Sequence, residues 1–277
     1  MTEPDFFRGD EFIADPYPYF ETLRSRCPVW REPHHGVVMV TGYDEAVEVF
    51  HDPERFSSCL SVTGPFPGFP VPLTGDDVSE LIEEHRDELP MNDQLPTLDP
   101  PIHTAHRGLL MKLITPKRLK ENEASMWRLA DGQLEQFLAG GQGEVIRGFA
   151  APFTLLVIAD LLGVPEADRA EFASGLARPH GGVGDTKQAM AHDPLAFLYD
   201  QFSGYIAERR ERPLNDVLTG LANATFPDGS LPDVGDAARV AANVFSAGQE
   251  TTVRLLGSAL KILAENPDVQ RQLRADR

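Results

Sequence analysis

After residue 99, apolar positions recur at intervals of three and four, the spacing that lines one side of a helix. In "DPPIHTAHRGLLMKLIT" the pattern follows Asp99, a residue type suited to a helix N-cap, and Pro100, suited to a first helical position. Thr115-Pro116 ends that segment and opens a second predicted helix, "PKRLKENEASMWRLADGQLEQFLA", which the glycines of "GGQG" stop. "VIRGFAAPFTLLVIADLLGVP" is apolar all round and predicts a core helix. "HGGVGD", residues 180–185, reads as a flexible break, and "ERRER", residues 208–212, as an exposed helix end. The turn-rich "FPDGSLPD" then precedes the longest pattern, from about 233 to 266, where Pro267 bars continuation. At 1.5 Å per residue that helix spans ~50 Å.

The first hundred residues read differently. "PYPYFETLRSR" is weakly helical. "PVW" and "VVMV" predict two short strands around the turn-like "REPHHG", whose His34 and His35 read as solvated. "YDEAVEVFHD" predicts a helix closed by Pro53, with Ala46, Val47, Val49 and Phe50 as its apolar face. From 60 to 98 the chain is irregular, because Gly64, Pro65, Pro67, Gly68, Pro70 and Pro72 forbid regular structure. A short acidic helix, "DDVSELIEEHRDEL", follows within it. The fold class is mainly α with a small N-terminal β-sheet, without internal repeats.

Charge and cysteine content narrow the function. The 25 Lys and Arg against 43 Asp and Glu give a net charge of −18, which disfavours nucleic acid and anionic membranes as partners. Two cysteines make no disulfide framework. The N-terminus has no basic start followed by an apolar run, and "FTLLVIADLLGV" is well short of the ~20 residues a span requires. The expectation is a cytoplasmic protein with reduced thiols.

Two constellations carry candidate chemistry. His103 and Arg107 are four apart and share one helix face. Arg107 donates in a fixed fork suited to carboxylate or phosphate, and a histidine beside it donates as well. The pair suits a ligand with two carboxylates, or is simply a solvated polar face. His106 and His103 are spaced for a metal pair, but no further ligand stands at zinc spacing. The second constellation, "VFSAGQETTVRLL", sits inside the long helix. Gly248 costs ~1 kcal/mol against alanine there, and Thr251 and Thr252 are stiff at χ1. Ala247, Gly248 and Thr251 share a side where something flat can approach the backbone, with Glu250 an adjacent proton-carrying carboxylate. The alternative is ordinary helix packing at Ala247 and Gly248 with Glu250 on the surface. "GGVG" at 181–184 lacks the strand-then-helix setting of a nucleotide loop and reads as a turn.

"LDPPIHTAHRGLLMKLITPKRLKE" followed by "AGQETT" in a long helix, with "DPERFSS" after an early helix, resembles the cytochrome P-450 family, the haem-thiolate monooxygenases, in its soluble bacterial form. The resemblance covers essentially the whole chain in order. It implies a cytochrome P-450 fold, incomplete at the C-terminus, with residues 1–277 as the N-terminal portion of a single catalytic domain through the long central helix. His103 and Arg107 match the residues that hold the two haem propionates. Ala247 and Gly248 match the small residues that let the central helix lie over the porphyrin. Glu250 and Thr251 match the acid–alcohol pair near the oxygen site, where many members have Asp in place of Glu250. Thr252 is placed to hold water in the helix groove. The 60–98 segment and the 170–195 break correspond to the loops that cover the substrate.

The implied activity is haem binding, dioxygen activation and hydroxylation of a small apolar substrate, with electrons from a ferredoxin-type donor and its reductase. The sequence as given stops at Arg277, before the family's E-x-x-R helix and the cysteine loop that ligates iron. Neither Cys27 nor Cys59 has the Phe- and Gly-rich setting of that loop, so no metal ligand is assigned. The expectation is that residues 1–277 alone do not hydroxylate a substrate. The rival reading is a non-enzymatic helical fragment that binds a small molecule or a protein through the same surfaces.

Overall fold

The two short apolar runs near the N-terminus pair with each other. In the computed structural model, which describes residues 4–66, 68–111, 114–176 and 192–276, β1 (Val29–Arg31) and β2 (Val38–Val40) run antiparallel. Val29 stands opposite Val40, Trp30 opposite Met39 and Arg31 opposite Val38. The turn between them is built on Glu32, whose buried carboxylate accepts the backbone N–H groups of His34 at 2.8 Å and His35 at 2.6 Å. His35 is not solvated as the turn composition suggested. Its ring pairs with Asp5 at 2.9 Å and packs edge-on against Phe7 and Phe66.

By its internal contacts the chain divides into two units, Met1–His103 with His180–Asp193, and Thr104–Pro179 with Pro194–Arg277. In the first, α1 (Glu11–Ala14) and α2 (Tyr17–Arg26) precede the ribbon, and α3 (Tyr43–Phe50) follows it. Phe50, assigned to the buried face of α3, is instead 84% exposed. The predicted acidic helix is shorter than its pattern: α4 (Ser79–Glu84) gives way to a 3-10 turn at Arg86–Glu88. Cys59, Ile82 and Leu89 form the apolar centre of this irregular stretch, with Leu60, Phe69 and Val78 against them.

Asp99 does a different job from the one its position suggests. α5 (Ile102–Met111) begins after the cis Pro100-Pro101 bond. The Asp99 carboxylate turns back to accept the Ser57 hydroxyl at 2.5 Å and the Ser58 N–H at 2.7 Å. It thereby ties "DPERFSS" to the approach to α5, while its carbonyl accepts the His103 N–H at 3.0 Å.

Among the described residues the second unit holds helices joined by turns and no strand. α6 (Pro116–Ala139) starts where Thr115 caps it, accepting the Arg118 N–H, and stops at Gly140. The predicted core helix is a π-helical turn, Ile146–Ala150, running into α7 (Ala151–Leu162). Leu155, Ile158, Ala159 and Leu162 of α7 are buried, and Gly163 closes it at φ +96°, a conformation that favours glycine. α8 (Arg169–Leu176), α9 (Ala196–Glu211) and α10 (Val217–Ala222) follow. α11 (Val234–Glu265) is the long helix, capped by Asp233, which accepts the Asp236 N–H at 2.6 Å. α12 (Pro267–Ala275) ends the described chain. Residues 180–185, including the "GGVG" turn, lie outside the described residues.

α11 packs against α9 and α7 through Ala237, Ala238, Val240, Ala241, Ala242 and Phe245, all buried. Phe172 and Phe202 meet Phe245 at ring centroid distances of 4.9 and 5.8 Å. The end of α9 departs from expectation. Arg209 is 3% exposed, donates from Nε to Asp216 at 2.9 Å and from Nη2 to the Gly163 carbonyl at 3.4 Å. Arg210 donates to the carbonyls of Ala222 and Pro232. Both guanidinium groups therefore serve half-buried or buried acceptors that follow α7, open α10 and precede α11, which no local pattern in "ERRER" discloses.

Removing one partner of a buried ion pair leaves the other uncompensated. Arg209→Met is expected to lower unfolding free energy by about 3–5 kcal/mol in urea titrations. Glu208→Ala, which removes only the half-exposed partner of Arg209, is expected to cost less than about 1 kcal/mol. Equal losses in the two variants would contradict the assignment.

Candidate functional site

α5 carries His103 and Arg107 one turn apart on one face, as their spacing predicts. His103 is half-buried and Arg107 exposed. Neither side chain makes a hydrogen bond or ion pair with any described residue. On the same helix Leu109 is fully buried and anchors the opposite side. His106 is engaged otherwise, stacking on Phe226 at 5.6 Å and 22°.

The second candidate set lies on α11, where burial changes abruptly. Buried residues run from Ala237 to Phe245, and from Ala247 onward the helix is half-buried or exposed. Ala247, Thr251 and Leu255, spaced four apart, are all exposed and define an open stripe of small and apolar residues. The Thr251 hydroxyl donates back to the Ala247 carbonyl at 2.8 Å. This is the competing side-chain bond anticipated for a threonine inside a helix. Thr252 is half-buried beside it.

Gly248 has a separate reason for its size. A Cβ there would stand 3.1 Å from Cδ1 of Ile158 on α7, so the glycine lets the two helices close together. Gly257, further along, meets Cδ1 of Ile146 in the π-helical turn at 2.4 Å by the same measure. The two glycines seat α11 on the α7 side, and the face holding Ala247 and Thr251 stays open. Glu250 forms an exposed ion pair with Arg254, Oε1 to Nη2 at 2.5 Å and to Nε at 3.1 Å. The spacing in "ETTVR" is the signal for this i,i+4 pair, which holds the carboxylate along the helix surface at a modest energetic gain.

The α5 and α11 residues belong to separate helices, and no hydrogen bond or ion pair among the described residues joins the two sets. The thiols lie elsewhere. Cys59 is buried in the apolar cluster with Ile82 and Leu89, and exposed Cys27 stands at the C-terminal end of α2. Among the described residues no group of three histidine, cysteine or carboxylate side chains is arranged to hold a metal. No helix among them is long and apolar enough to cross a membrane.

A mainly helical chain with a small antiparallel ribbon matches proteins of known structure. The chain's curated homologues and its structural neighbours are cytochrome P450s. It is 30% identical to cytochrome P450 144 of Mycobacterium tuberculosis over 98% of this chain and 61% of that protein. It is 31% identical to the cytochrome P450 monooxygenase PikC of Streptomyces venezuelae, over 97% and 61%. The structure superposes on substrate-free CYP150A6 of Mycobacterium marinum with a TM-score of 0.88 and 51% identity, covering 99% of this chain and 64% of that one. The chain thus spans about three fifths of the length of these relatives. No family model matches it.

The packing role of Gly248 has a direct test. Alanine gains ~1 kcal/mol over glycine in a helix, but here its Cβ crowds Ile158. Gly248→Ala alone is expected to leave stability within about 0.5 kcal/mol of the parent. With Ile158→Val, which deletes the crowding Cδ1, the same substitution is expected to stabilise by ~1 kcal/mol. Identical effects in both backgrounds would rule out the contact as the reason for the glycine.

Proposed function

We propose that this chain supplies the haem-facing part of a cytochrome P450 monooxygenase acting on a small, largely apolar substrate, residues 1–277 forming part of one catalytic domain. The observation that carries the reading is the pair of donors on α5: His103 and Arg107 share a face and have no described protein partner. Two donors without acceptors fit a ligand bearing two carboxylates, and haem carries two propionates. A guanidinium binds one carboxylate in a fork of two N–H groups, and an imidazole donates to the other.

On α11 Ala247 and Thr251 are small and exposed, so a planar group can approach the backbone on that side. Gly248 acts indirectly there, by letting α11 settle on Ile158. When bound, haem supplies an iron centre that activates dioxygen with electrons delivered from outside the chain. The chain's own residues manage protons and water. With its hydrogen committed to the Ala247 carbonyl, the Thr251 hydroxyl oxygen is left as an acceptor that can hold a water or a protonated oxygen. Glu250 is the nearest carboxylate in sequence, and its exposed pairing with Arg254 leaves it open to solvent for proton exchange. Thr252, one residue on, helps order water in the same groove.

We assign electron supply to a donor of the ferredoxin type and its reductase. Neither described thiol suits the iron, Cys59 being packed among apolar side chains and Cys27 standing at the end of α2. Exposed apolar residues on α6 (Trp127, Leu134 and Leu138) and on α11 (Leu255 and Ile262) favour a second reading. In that reading the chain chiefly binds another polypeptide.

Titration of the purified chain with haem separates the two. Saturable binding is expected, with affinity falling about tenfold or more in His103→Ala/Arg107→Ala, since each charge-assisted bond is worth ~1.5–3 kcal/mol. Cys27→Ser and Cys59→Ser are expected to leave that affinity unchanged. Haem binding no stronger than to an unrelated apolar surface, or unaffected by the double substitution, would favour the binding-protein reading.

A further inference from the structure

His192 links two stretches of the first unit that are far apart in sequence. Its Nε2 bonds the Asp87 carbonyl at 2.9 Å, its Nδ1 faces the Asp193 carboxylate at 3.3 Å, and its own carbonyl accepts the Met91 N–H at 2.9 Å. Met91 is the only non-glycine residue with positive φ among the described residues, at +57°. A methionine there is strained, and such a backbone persists only where its surroundings fix it. Three bonds fix it: its amide donates to the His192 carbonyl, and its carbonyl accepts the Thr97 hydroxyl and the Gln94 N–H.

We propose that His192 is a pH-sensitive latch. Protonated, it fastens the 87–91 turn to residues 192–193 through both ring N–H groups; neutral, it keeps only one of them and holds the turn, and with it Met91, less firmly. The functional consequence rests on the monooxygenase reading, in which the 60–98 segment covers the substrate. There the latch sets how firmly that cover is held.

The chemistry follows from counting donors. An imidazolium has two N–H groups and satisfies both the Asp87 carbonyl and the Asp193 carboxylate. A neutral imidazole has one, so it must give up one of the two. The bond to the Asp87 carbonyl, the bond and charge of Asp193 and the charge of Asp93 raise the His192 pKa above its ordinary 6.5, while partial burial opposes them. A raised folded value means the contribution is complete below about 6.5 and is lost as pH rises through the folded pKa. The other charges nearby are occupied among themselves. His85 pairs with Glu88, Arg86 binds Glu83 and the carbonyls of Asn92 and Thr97, and the Asp87 carboxylate accepts from Asn92.

Hydrogen exchange of the whole chain, resolved at the Met91 amide and corrected for intrinsic rates, tests this between pH 5.5 and 8.5. Protection is expected to be roughly threefold to tenfold greater at the acid end, with a midpoint above 6.5. His192→Gln keeps one donor at every pH, so its protection is expected to be flat and intermediate. His192→Ala is expected to be flat and low, and Asp193→Asn to move the midpoint downward. A flat profile in the parent chain, or the parent's pH dependence persisting in His192→Gln, overturns the latch. The readout requires no haem. Failure of haem titration with an intact exchange profile would therefore refute the monooxygenase reading and leave the latch standing.

Discussion

Four alanines, Ala237, Ala238, Ala241 and Ala242, bring α11 against α9 and α7 at close range, and the rest of the second unit is arranged around that seam. Small side chains let helix backbones approach, and Phe245 with Phe172 and Phe202 fills the space beyond the alanines. Burying one such ring contributes roughly 2–3 kcal/mol, more than any surface ion pair in the molecule. The seam continues through Gly248 on Ile158 and Gly257 on Ile146. Both glycines work against the helix locally and in favour of its contact with α7 and the π-helical turn. The sum favours the glycines because a fixed close approach recovers dispersion and burial along many atoms at once.

Polar groups inside the unit follow the same geometry. α7 ends at Gly163 in a left-handed turn, and Arg209 of α9 donates to the Gly163 carbonyl. Asp216 answers with two oxygens, one accepting the Arg209 Nε–H and the other capping α10 through the Thr219 N–H. Tyr205 donates to Asp168 at 2.6 Å nearby, and burial together with that carboxylate pushes its hydroxyl pKa up. Each of these groups is satisfied, as buried polar groups must be.

Much of the architecture was legible because it rests on local rules. The Thr115-Pro116 boundary, the Gly140 stop, the Asp233 cap and the Pro267 break are short-range signals, and the structure shows all four. So is the ribbon, whose alternating residues pair in register. The misses are long-range. Asp99 had the right type and position for an N-cap, yet Ser57 and Ser58, more than forty residues earlier, claim its carboxylate. Phe50 had the right period for a buried face, but it is 84% exposed among the described residues. Arg209 was read from its charged neighbours, whereas its partners come from α7 and the start of α10. The candidate site divides the same way. The shared face of His103 and Arg107 is a matter of spacing, while the contact between Gly248 and Ile158 depends on which helix lies opposite.

The abrupt change along α11 is the feature that connects packing to chemistry. A 32-residue helix in an ordinary core would be buried by neighbours along its whole length or exposed along one continuous face. Here the first half is closed on by α7 and α9, and the second half keeps its contact with α7 and the π-helical turn while its other side is open. The first half is anchored by burial, and Ala247, Thr251 and Leu255 stand exposed in a row four apart on the second. Thr251 adds to this by returning its hydroxyl proton to the ladder, which fixes its χ1 and aims the oxygen lone pairs outward. A reactive ligand lying on such a surface would meet side chains that are already ordered, and ordering completed during folding does not have to be repeated on binding.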